Sequence, residues 1–350
     1  MSFDKPTFRH PKMATNSAGY SRKDYEGVIS TLCAGCGHDS TTTAIIQACF
    51  ELSVEPHRVV KLSGIGCSSK TPAYFLSRSH GFNAVHGRMP SVATGANMAN
   101  RDLLYIGISG DGDTASIGMG QFAHALRRNL NLNYICMNNG CYGLTKGQDS
   151  ATADKGSAGK KGVPNPYTSI DLCELAIELG ASYVARGFSG DKQQLVPLIK
   201  GAISHSGLAF IDVISPCVTF NNTASSTKSY SYVRDHIEAT NTFDFVPLQQ
   251  EILAHYPEGS SQEVVMHDGS IIHLHKSDAS KKVTDRLTAM SNLEIEKAKG
   301  KLLTGLLYVN QDIMETHDII NSSQRPLNTL TEEDLCPGNE VLQQINESLR

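Results

Sequence analysis

Short apolar runs alternate with amphipathic stretches along the chain up to about residue 217. Leu103–Ser109 and Leu132–Met137 are mainly apolar, which is typical of strands buried on both faces. The stretch between them, from about Thr114 to Asn129, has apolar residues near helical spacing and predicts a helix. Similar patterns predict further strands at 58–64, 182–187 and 208–214, and further helices at 41–52, 91–101, 170–179 and 192–204. Residues 82–88 predict a short strand followed by a turn that presents His86. This alternation predicts an α/β fold, a doubly wound and mostly parallel sheet with helices on both faces.

The pattern changes from about Leu248. Residues 264–276 alternate between apolar and polar around Asp268-Gly269, which predicts a β-hairpin. A helical pattern follows near 285–299, and a short apolar run at 305–310 predicts a strand. Residues 1–30 are polar, with scattered proline and glycine. We therefore expect an N-terminal arm (1–30), a body (31–247) and a C-terminal extension (248–350) that packs on the body or on a partner.

Composition narrows the class of protein. The chain has 350 residues, 40% hydrophobic and 19% charged, as in globular proteins with a substantial core. Its net charge of −4 gives no basic surface for nucleic acid or membranes, and no apolar run is long enough to span a bilayer. The N-terminus lacks the apolar core of a signal peptide. With nine cysteines, this indicates a cytoplasmic protein whose thiols bind metals or clusters rather than form disulfides.

Two of the predicted strands end in polar turns. Leu103–Ser109 runs into Gly-Asp-Gly-Asp at 110–113, and Leu132–Met137 runs into Asn-Asn-Gly at 138–140. In a parallel sheet both turns lie at the edge where ligands of α/β proteins bind. Asp111, the amide oxygen of Asn139 and the backbone carbonyl of Cys141 can supply three oxygens to Mg²⁺, with diphosphate and water filling the remaining positions. The alternative is an ordinary crossover with solvated turns. A dinucleotide-like pattern at 118–123 lies inside the predicted helix and indicates nothing.

Four cysteines fall at the same predicted edge. Cys33 and Cys36 form a Cys-x-x-Cys turn, while Cys67 and Cys217 each follow a predicted strand. Four thiolates in this arrangement suit a [4Fe–4S] cluster. A zinc site is the second possibility, although a structural zinc site usually has a second Cys-x-x-Cys pair. The third is that these thiols hold no metal.

Six motifs, in order, resemble those of one enzyme family. They are CAGCGH, GIGCSSK, HGR followed by ATG, GDGDTASIG, MNNGCYGLTKGQ and PCVTFN. Together they are similar to the β subunits of 2-oxoacid:ferredoxin oxidoreductases, which are thiamine-diphosphate enzymes. The resemblance covers about Thr31 to Asn221, and the hairpin region more loosely. The implied fold is the diphosphate-binding domain of thiamine-diphosphate enzymes, and the implied cofactors are thiamine diphosphate, Mg²⁺ and one [4Fe–4S] cluster.

The resemblance also assigns roles to residues. It implies that the cluster is held by Cys33, Cys36, Cys67 and Cys217, and that Mg²⁺ is held by Asp111, Asn139 and the Cys141 carbonyl. The diphosphate would be cradled by Gly112, Asp113, Gly143, Leu144 and Thr145. The cofactor pocket would be lined by Ile65, Gly66, Cys67, Ser68 and His86. Lys70 and Lys146 match lysines near the oxoacid, where a cation would hold a carboxylate. Solvated surface lysines, and a core histidine at His86, are the alternatives.

The implied reaction is the coenzyme A-dependent oxidative decarboxylation of a 2-oxoacid, or its reverse, with electrons passing through the cluster to ferredoxin. The chain contains only one diphosphate-binding half. We therefore expect an α subunit to supply the pyrimidine-binding half and its activating carboxylate, in an α₂β₂ assembly.

The substrate and the reaction class leave alternatives. The hairpin and the CPGNEVLQQIN ending look closest to 2-oxoglutarate enzymes, while pyruvate and branched-chain oxoacids are the other candidates. Two rival functions are a non-redox thiamine decarboxylase or lyase half with structural or zinc-binding cysteines, and a non-catalytic iron–sulfur carrier.

Overall fold

The computed structural model describes residues 14–145, 147–156, 164–217, 252–265, 271–278, 282–336 and 338–350. Nine strands form one sheet, and two short strands form a separate ribbon. In chain order the strands are β1 (Val59–Ser63), β2 (His80–Asn83), β3 (Leu104–Gly110), β4 (Leu132–Asn138), β5 (Cys141–Tyr142), β6 (Gln148–Asp149), β7 (Tyr183–Phe188), β8 (Leu208–Ile214), β9 (Ser261–Val265), β10 (Ile271–Lys276) and β11 (Leu302–Val309).

The order of strands in the sheet is β2-β1-β3-β4-β8-β7-β11-β10-β9. All pairings from β2 to β7 are parallel. The strand β11 pairs antiparallel with β7 and parallel with β10, and β9 pairs antiparallel with β10. The predicted α/β fold with a mostly parallel sheet is therefore confirmed.

The predicted hairpin is present as β9 and β10, and its middle residues, 266–270, lie outside the described part of the chain. Because β11 pairs with β7, the strands of the C-terminal extension continue the sheet of the body. The division into arm, body and extension stays a prediction.

The described α-helices lie between these strands and near the C-terminus. They are α1 (Gly37–Glu51), α2 (Met89–Ala99), α3 (Met119–Arg127), α4 (Leu172–Glu178), α5 (Lys192–Ser204), α6 (Arg286–Ala298), α7 (Thr316–Ile319), α8 (Glu332–Leu335) and α9 (Gly338–Ser348). Within the described residues, no helix is long and apolar enough to cross a membrane.

Two helices differ from the sequence-based expectation. The helix α1 begins at Gly37 rather than near Thr41, because Cys36 takes the N-cap position and the Gly37 N–H donates to the Pro216 carbonyl, 3.1 Å away. The helix expected from Thr114 is instead a π-helix, Gly112–Ile117, followed by α3. The two join at Gly118, where a side chain would lie only 2.6 Å from the Asp113 carbonyl oxygen. Single π-helical turns of this kind often occur at functional sites.

Apolar side chains cover both faces of the sheet. Along β4, Tyr134 joins the cluster on one face and Ile135 the cluster on the other. On the first face the ring of Phe122 meets those of Tyr134 and Phe210 edge-on, with centroids 5.2 and 5.0 Å apart. Burial on both faces explains why these strands are apolar runs rather than alternating ones. The carboxyl ends of β1, β3, β4 and β8 are consequently held at one rigid edge.

Candidate functional site

One cavity at the carboxyl edge of the sheet gathers most of the predicted site residues. The predicted residues that line it are Ile65, Gly66, Cys67, Ser68, His86, Asp111, Gly112, Asp113, Asn139, Cys141, Gly143, Leu144 and Thr145. They come from the turns after β1, β3 and β4 and from the turn after β2. Residues that are far apart in sequence therefore meet because parallel strands end at the same edge.

Asp111 lies at the end of β3 and is 1% exposed. Its Oδ2 accepts hydrogen bonds from the hydroxyls of Ser150 and Thr152, the latter at 2.8 Å. Its Oδ1 accepts one from the Asn139 N–H at 3.2 Å. Burial raises the pKa of this carboxyl above its usual value, and the three hydrogen bonds oppose that shift. A buried carboxylate with only neutral donors around it is a good site for a cation.

Asn139 supplies a second side-chain oxygen to the cavity that Asp111 lines. Its side-chain Oδ1 accepts a hydrogen bond from the Cys141 N–H at 3.1 Å, which bends the chain so that residues 139–141 wrap around this side of the cavity. Gly140 lies at the bend with a positive φ of 70°, a conformation that glycine adopts most readily. The three predicted magnesium ligands thus come from two turns, after β3 and after β4, that are joined by the Asn139–Asp111 hydrogen bond, and their oxygen donors suit Mg²⁺.

The predicted cluster cysteines come together at the same edge. The turn that carries Cys33 and Cys36 is tied to the residue before Cys217 by the Gly37–Pro216 hydrogen bond. The pKa of Cys36 is raised to about 12, mainly by burial and in smaller part by the neighbouring Cys217 and Cys67, while a hydrogen bond with the His38 backbone opposes the shift. Burial also raises the pKa of Cys67. The neighbouring Cys217 and Cys33 raise this pKa as well, whereas Lys70 lowers it. Cys67 is therefore close enough to interact electrostatically with Cys33, Cys36 and Cys217.

This grouping does not by itself form a metal-binding geometry. No group of three or more His, Cys, Asp or Glu residues in the described ranges is arranged to hold a metal ion. Cys33 is exposed, whereas Cys36 is buried. The donor chemistry nevertheless fits a metal, because Cys36 is buried, Cys67 and Cys217 are partly buried, and a bound cation would favour the thiolate form of each.

A fifth cysteine, Cys141, adjoins this group, which the sequence did not suggest. Its thiol is hydrogen-bonded to Cys217, and this contact, together with burial, raises the pKa of Cys141 far above its usual value. Gly143 lies beside the same sulfurs, since a side chain there would be 3.3 Å from the Cys67 Sγ. The cofactor turn and the cysteine group are therefore in direct contact.

Of the two predicted lysines, the structure describes only Lys70, which does not line the cavity. Lys70 is exposed in the short 3-10 helix Ser68–Ala73, and Lys146 lies outside the described part of the chain. The sequence reasoning missed Ser150 and Thr152, which hold Asp111. They lie in a polar stretch with no motif, so only their hydroxyl side chains could have drawn attention to them.

A larger cavity of about 360 Å³ lies beside the first, between the ends of β4 and β8 and the strand β10. Of the predicted site residues it includes only Asn139 and Cys217. Its buried Arg186 is already paired with Asp212 at 3.0 Å and Asp171 at 2.5 Å. The predicted cofactor-binding side chains therefore meet in the smaller cavity rather than in the larger one.

Comparison with known proteins agrees with this geometry. Residues 64–213 match the family model described as thiamine pyrophosphate enzyme, C-terminal TPP binding domain. The chain is 45% identical over 191 residues to a 2-oxoacid:ferredoxin oxidoreductase subunit beta from a Sulfolobus species, covering 54% of this chain and 63% of the relative. It is 43% identical to the 2-oxoglutarate synthase subunit KorB of Methanocaldococcus jannaschii, covering 54% of this chain and 69% of that one.

A solved structure is similar over almost the whole chain. It is a 2-oxoglutarate:ferredoxin oxidoreductase from Magnetococcus marinus with 2-oxoglutarate, coenzyme A and succinyl-CoA bound. The TM-score is 0.70 at 27% identity, covering 95% of this chain and 97% of that chain. The sequence match to the Sulfolobus relative, by contrast, spans less than two-thirds of that relative's length. From the shared sequence and fold, the chain belongs to the family of 2-oxoacid:ferredoxin oxidoreductase beta subunits.

Proposed function

We propose that the chain is the diphosphate-binding half of an enzyme that oxidises a 2-oxoacid, with 2-oxoglutarate as the favoured substrate. The 2-oxoacid and coenzyme A would become acyl-CoA and CO₂, and two electrons would reduce ferredoxin; the reverse reaction uses the same groups. The observation that carries the proposal is the single cavity that joins Asp111, Asn139 and Cys141 to Cys67.

Mg²⁺ would be held by the Asp111 carboxylate, the Asn139 amide oxygen and the Cys141 carbonyl. The buried Asp111 supports this, because a cation would offset the desolvation that now raises its pKa. Gly112, Asp113 and residues 143–145 would hold the diphosphate. Thiamine diphosphate, when bound, supplies the nucleophilic carbon and the electron sink that decarboxylation needs.

Cys33, Cys36, Cys67 and Cys217 would hold one [4Fe–4S] cluster, which supplies a one-electron acceptor. Their mutual electrostatic influence supports this assignment. We keep Lys70 and Lys146 as proposed partners for the oxoacid carboxylate, and His86 as a proposed cofactor contact.

A partner subunit is part of the proposal. The cavity on this chain is only about 40 Å³, far smaller than the roughly 300–1,000 Å³ of ligand pockets. Large apolar side chains are exposed on the segments that carry the site: Ile29, Phe82, Val85, Ile117 and Leu144. We propose that these side chains form part of the surface that a partner covers, because contiguous apolar surface left exposed marks an interaction site. An α subunit that supplies the pyrimidine-binding half would cover it, in an α₂β₂ assembly.

The choice of 2-oxoglutarate follows from the relatives. The Methanocaldococcus jannaschii subunit is named a 2-oxoglutarate synthase subunit, and the Magnetococcus marinus enzyme was solved with 2-oxoglutarate bound. Pyruvate and branched-chain oxoacids are the alternatives.

The test is to co-purify the chain with its α subunit and measure iron, thiamine diphosphate and ferredoxin reduction with a panel of 2-oxoacids plus coenzyme A. We expect about four irons per chain and the fastest reduction with 2-oxoglutarate. Replacing Cys67 by serine should remove most of the iron, whereas replacing the exposed Cys336 by serine should leave it unchanged. A colourless complex that decarboxylates 2-oxoacids without reducing ferredoxin would instead support a non-redox thiamine enzyme.

A further inference from the structure

The carboxylate of Asp113 is bonded to the protein itself. Its Oδ1 lies 2.5 Å from the His86 Nδ1, at hydrogen-bond distance, and accepts a hydrogen bond from the Gly87 N–H at 2.7 Å. Its Oδ2 accepts one from the Ser109 hydroxyl at 2.7 Å. The side chain is only 2% exposed. Both carboxylate oxygens are therefore hydrogen-bonded within the protein, to β3 and to the turn after β2. Any contact of Asp113 with a diphosphate would consequently come from its backbone.

The surrounding backbone holds this carboxylate in place. Gly64 packs directly against it, since a side chain at Gly64 would lie 1.8 Å from Oδ2. On the other side, the Gly87 N–H is fixed by a backbone with a positive φ of 69°. The carboxylate cannot rotate away from His86 without breaking its hydrogen bond to the Gly87 N–H. The backbone therefore holds Asp113 in contact with His86.

The chemistry of this contact decides where the imidazole carries its hydrogen. An ionised carboxylate can only accept hydrogen bonds, so the Nδ1 of His86 must donate. In a neutral imidazole the other nitrogen, Nε2, is then an acceptor. The His86 side chain is 32% exposed, lines the cavity and meets the Tyr142 ring edge-on, with centroids 6.4 Å apart.

We infer that Asp113 is a positioning residue that fixes His86 as the Nδ1–H tautomer, so that Nε2 serves the site as a hydrogen-bond acceptor. The ligand group that meets Nε2 is therefore a proton donor, such as a hydroxyl or an amino group. The tautomer is a property of this chain alone. That the ligand is bound beside thiamine diphosphate rests on the proposed function.

The tautomer can be measured directly by ¹⁵N NMR of the full chain labelled on its histidine rings, at a pH where imidazole is neutral. The His86→Gln variant assigns the His86 signals among the 13 histidines. We expect a protonated Nδ1 and an unprotonated Nε2. A protonated Nε2 with a bare Nδ1 would overturn the inference.

The variant Asp113→Asn isolates the charge of the carboxylate, because asparagine has the same shape and its oxygen can still accept from His86 and Gly87. A charge-assisted hydrogen bond is roughly twice as strong as a neutral one. We therefore expect the ratio of tautomers to shift about tenfold toward Nε2–H, the change that a difference of about 1.4 kcal/mol produces. An unchanged ratio would contradict the role of Asp113. The exposed Asp102→Asn is the matched control and should change nothing.

A binding measurement separates this inference from the proposed function. Calorimetry with Mg²⁺ and thiamine diphosphate on the co-purified complex tests the function, whereas the tautomer tests Asp113. Absent binding with the Nδ1–H tautomer would refute the proposed function and leave the inference standing. Binding of thiamine diphosphate together with the Nε2–H tautomer would support the proposed function and refute the inference about Asp113.

Discussion

At the scale of single residues, two hydroxyl groups decide how the buried Asp111 is oriented. The Thr152 Oγ1 lies 2.8 Å from the Asp111 Oδ2 and 3.1 Å from the Asn138 Oδ1, so it links the ends of β3 and β4. Asn138 in turn donates from Nδ2 to Asp212 on β8 at 3.1 Å. The candidate metal carboxylate is therefore one end of a polar chain that runs across three strands. Groups that orient a metal ligand in this way often affect metal affinity strongly.

Replacing Thr152 by valine should weaken Mg²⁺-dependent binding of thiamine diphosphate by between about 10- and 100-fold, because it removes one donor to Asp111 with little change in shape. Calorimetry on the co-purified complex measures this. The matched control is Thr94→Val in α2, whose hydroxyl donates to the Pro90 carbonyl away from the site. Equal affinities in the two variants would show that Thr152 does not orient the ligand.

At the scale of elements, a buried lysine holds the segment that follows Cys67. Lys61 lies in the middle of β1, is 6% exposed, and donates from Nζ to the carbonyls of Pro72, Phe75 and Leu76 at 2.6, 2.6 and 3.0 Å. The same segment is also hydrogen-bonded to the residues that precede Cys33 in the chain, since the Gly27 N–H donates to the Tyr74 carbonyl at 2.9 Å. Lys61 thus supports both turns that carry candidate cluster cysteines.

Burial lowers the pKa of Lys61 from 10.5 to about 8. Between pH 8 and 10.5 the unfolded chain therefore binds a proton that the folded chain has released, and the Lys61 contribution to the free energy of unfolding rises with pH. Over the whole window the gain is on the order of 3 kcal/mol. Below pH 8 both states are protonated and the contribution is constant.

The variant Lys61→Met lacks this titration, so the wild-type free energy of unfolding minus that of the variant should increase from pH 8 to 10.5. Denaturant unfolding at several pH values measures the difference, and Lys200→Met, which replaces a half-exposed lysine paired with Glu51, is the control. A difference that is flat or falls with pH would show that Lys61 is not held in a desolvated, charged state near neutral pH.

The elements themselves could largely be predicted, because burial on both faces leaves apolar runs such as Leu208–Ile214 in the sequence. Helix ends could not, since Gly37 begins α1 through a contact with Pro216, which is distant in sequence. The positions of Asp111, Asn139 and Cys67 at one edge followed from parallel pairing. The roles of Thr152 and of the Asp113 side chain depend on tertiary contacts that no spacing in the sequence encodes.

At the scale of the whole molecule, the chain presents one side of a site. The rigid sheet gathers its polar and thiol groups at one edge, the cavity there is small, and apolar side chains around it are exposed. In the proposed function, turnover is therefore a property of the assembly, to which this chain would contribute the diphosphate-binding half and the cluster ligands.

The most direct test is ferredoxin reduction by 2-oxoglutarate and coenzyme A, measured with this chain alone, with the α subunit alone and with the two combined, each loaded with iron, Mg²⁺ and thiamine diphosphate. We predict turnover only in the combined sample, because in the proposed function the partner would supply the activating carboxylate. Sustained ferredoxin reduction by this chain alone would contradict it.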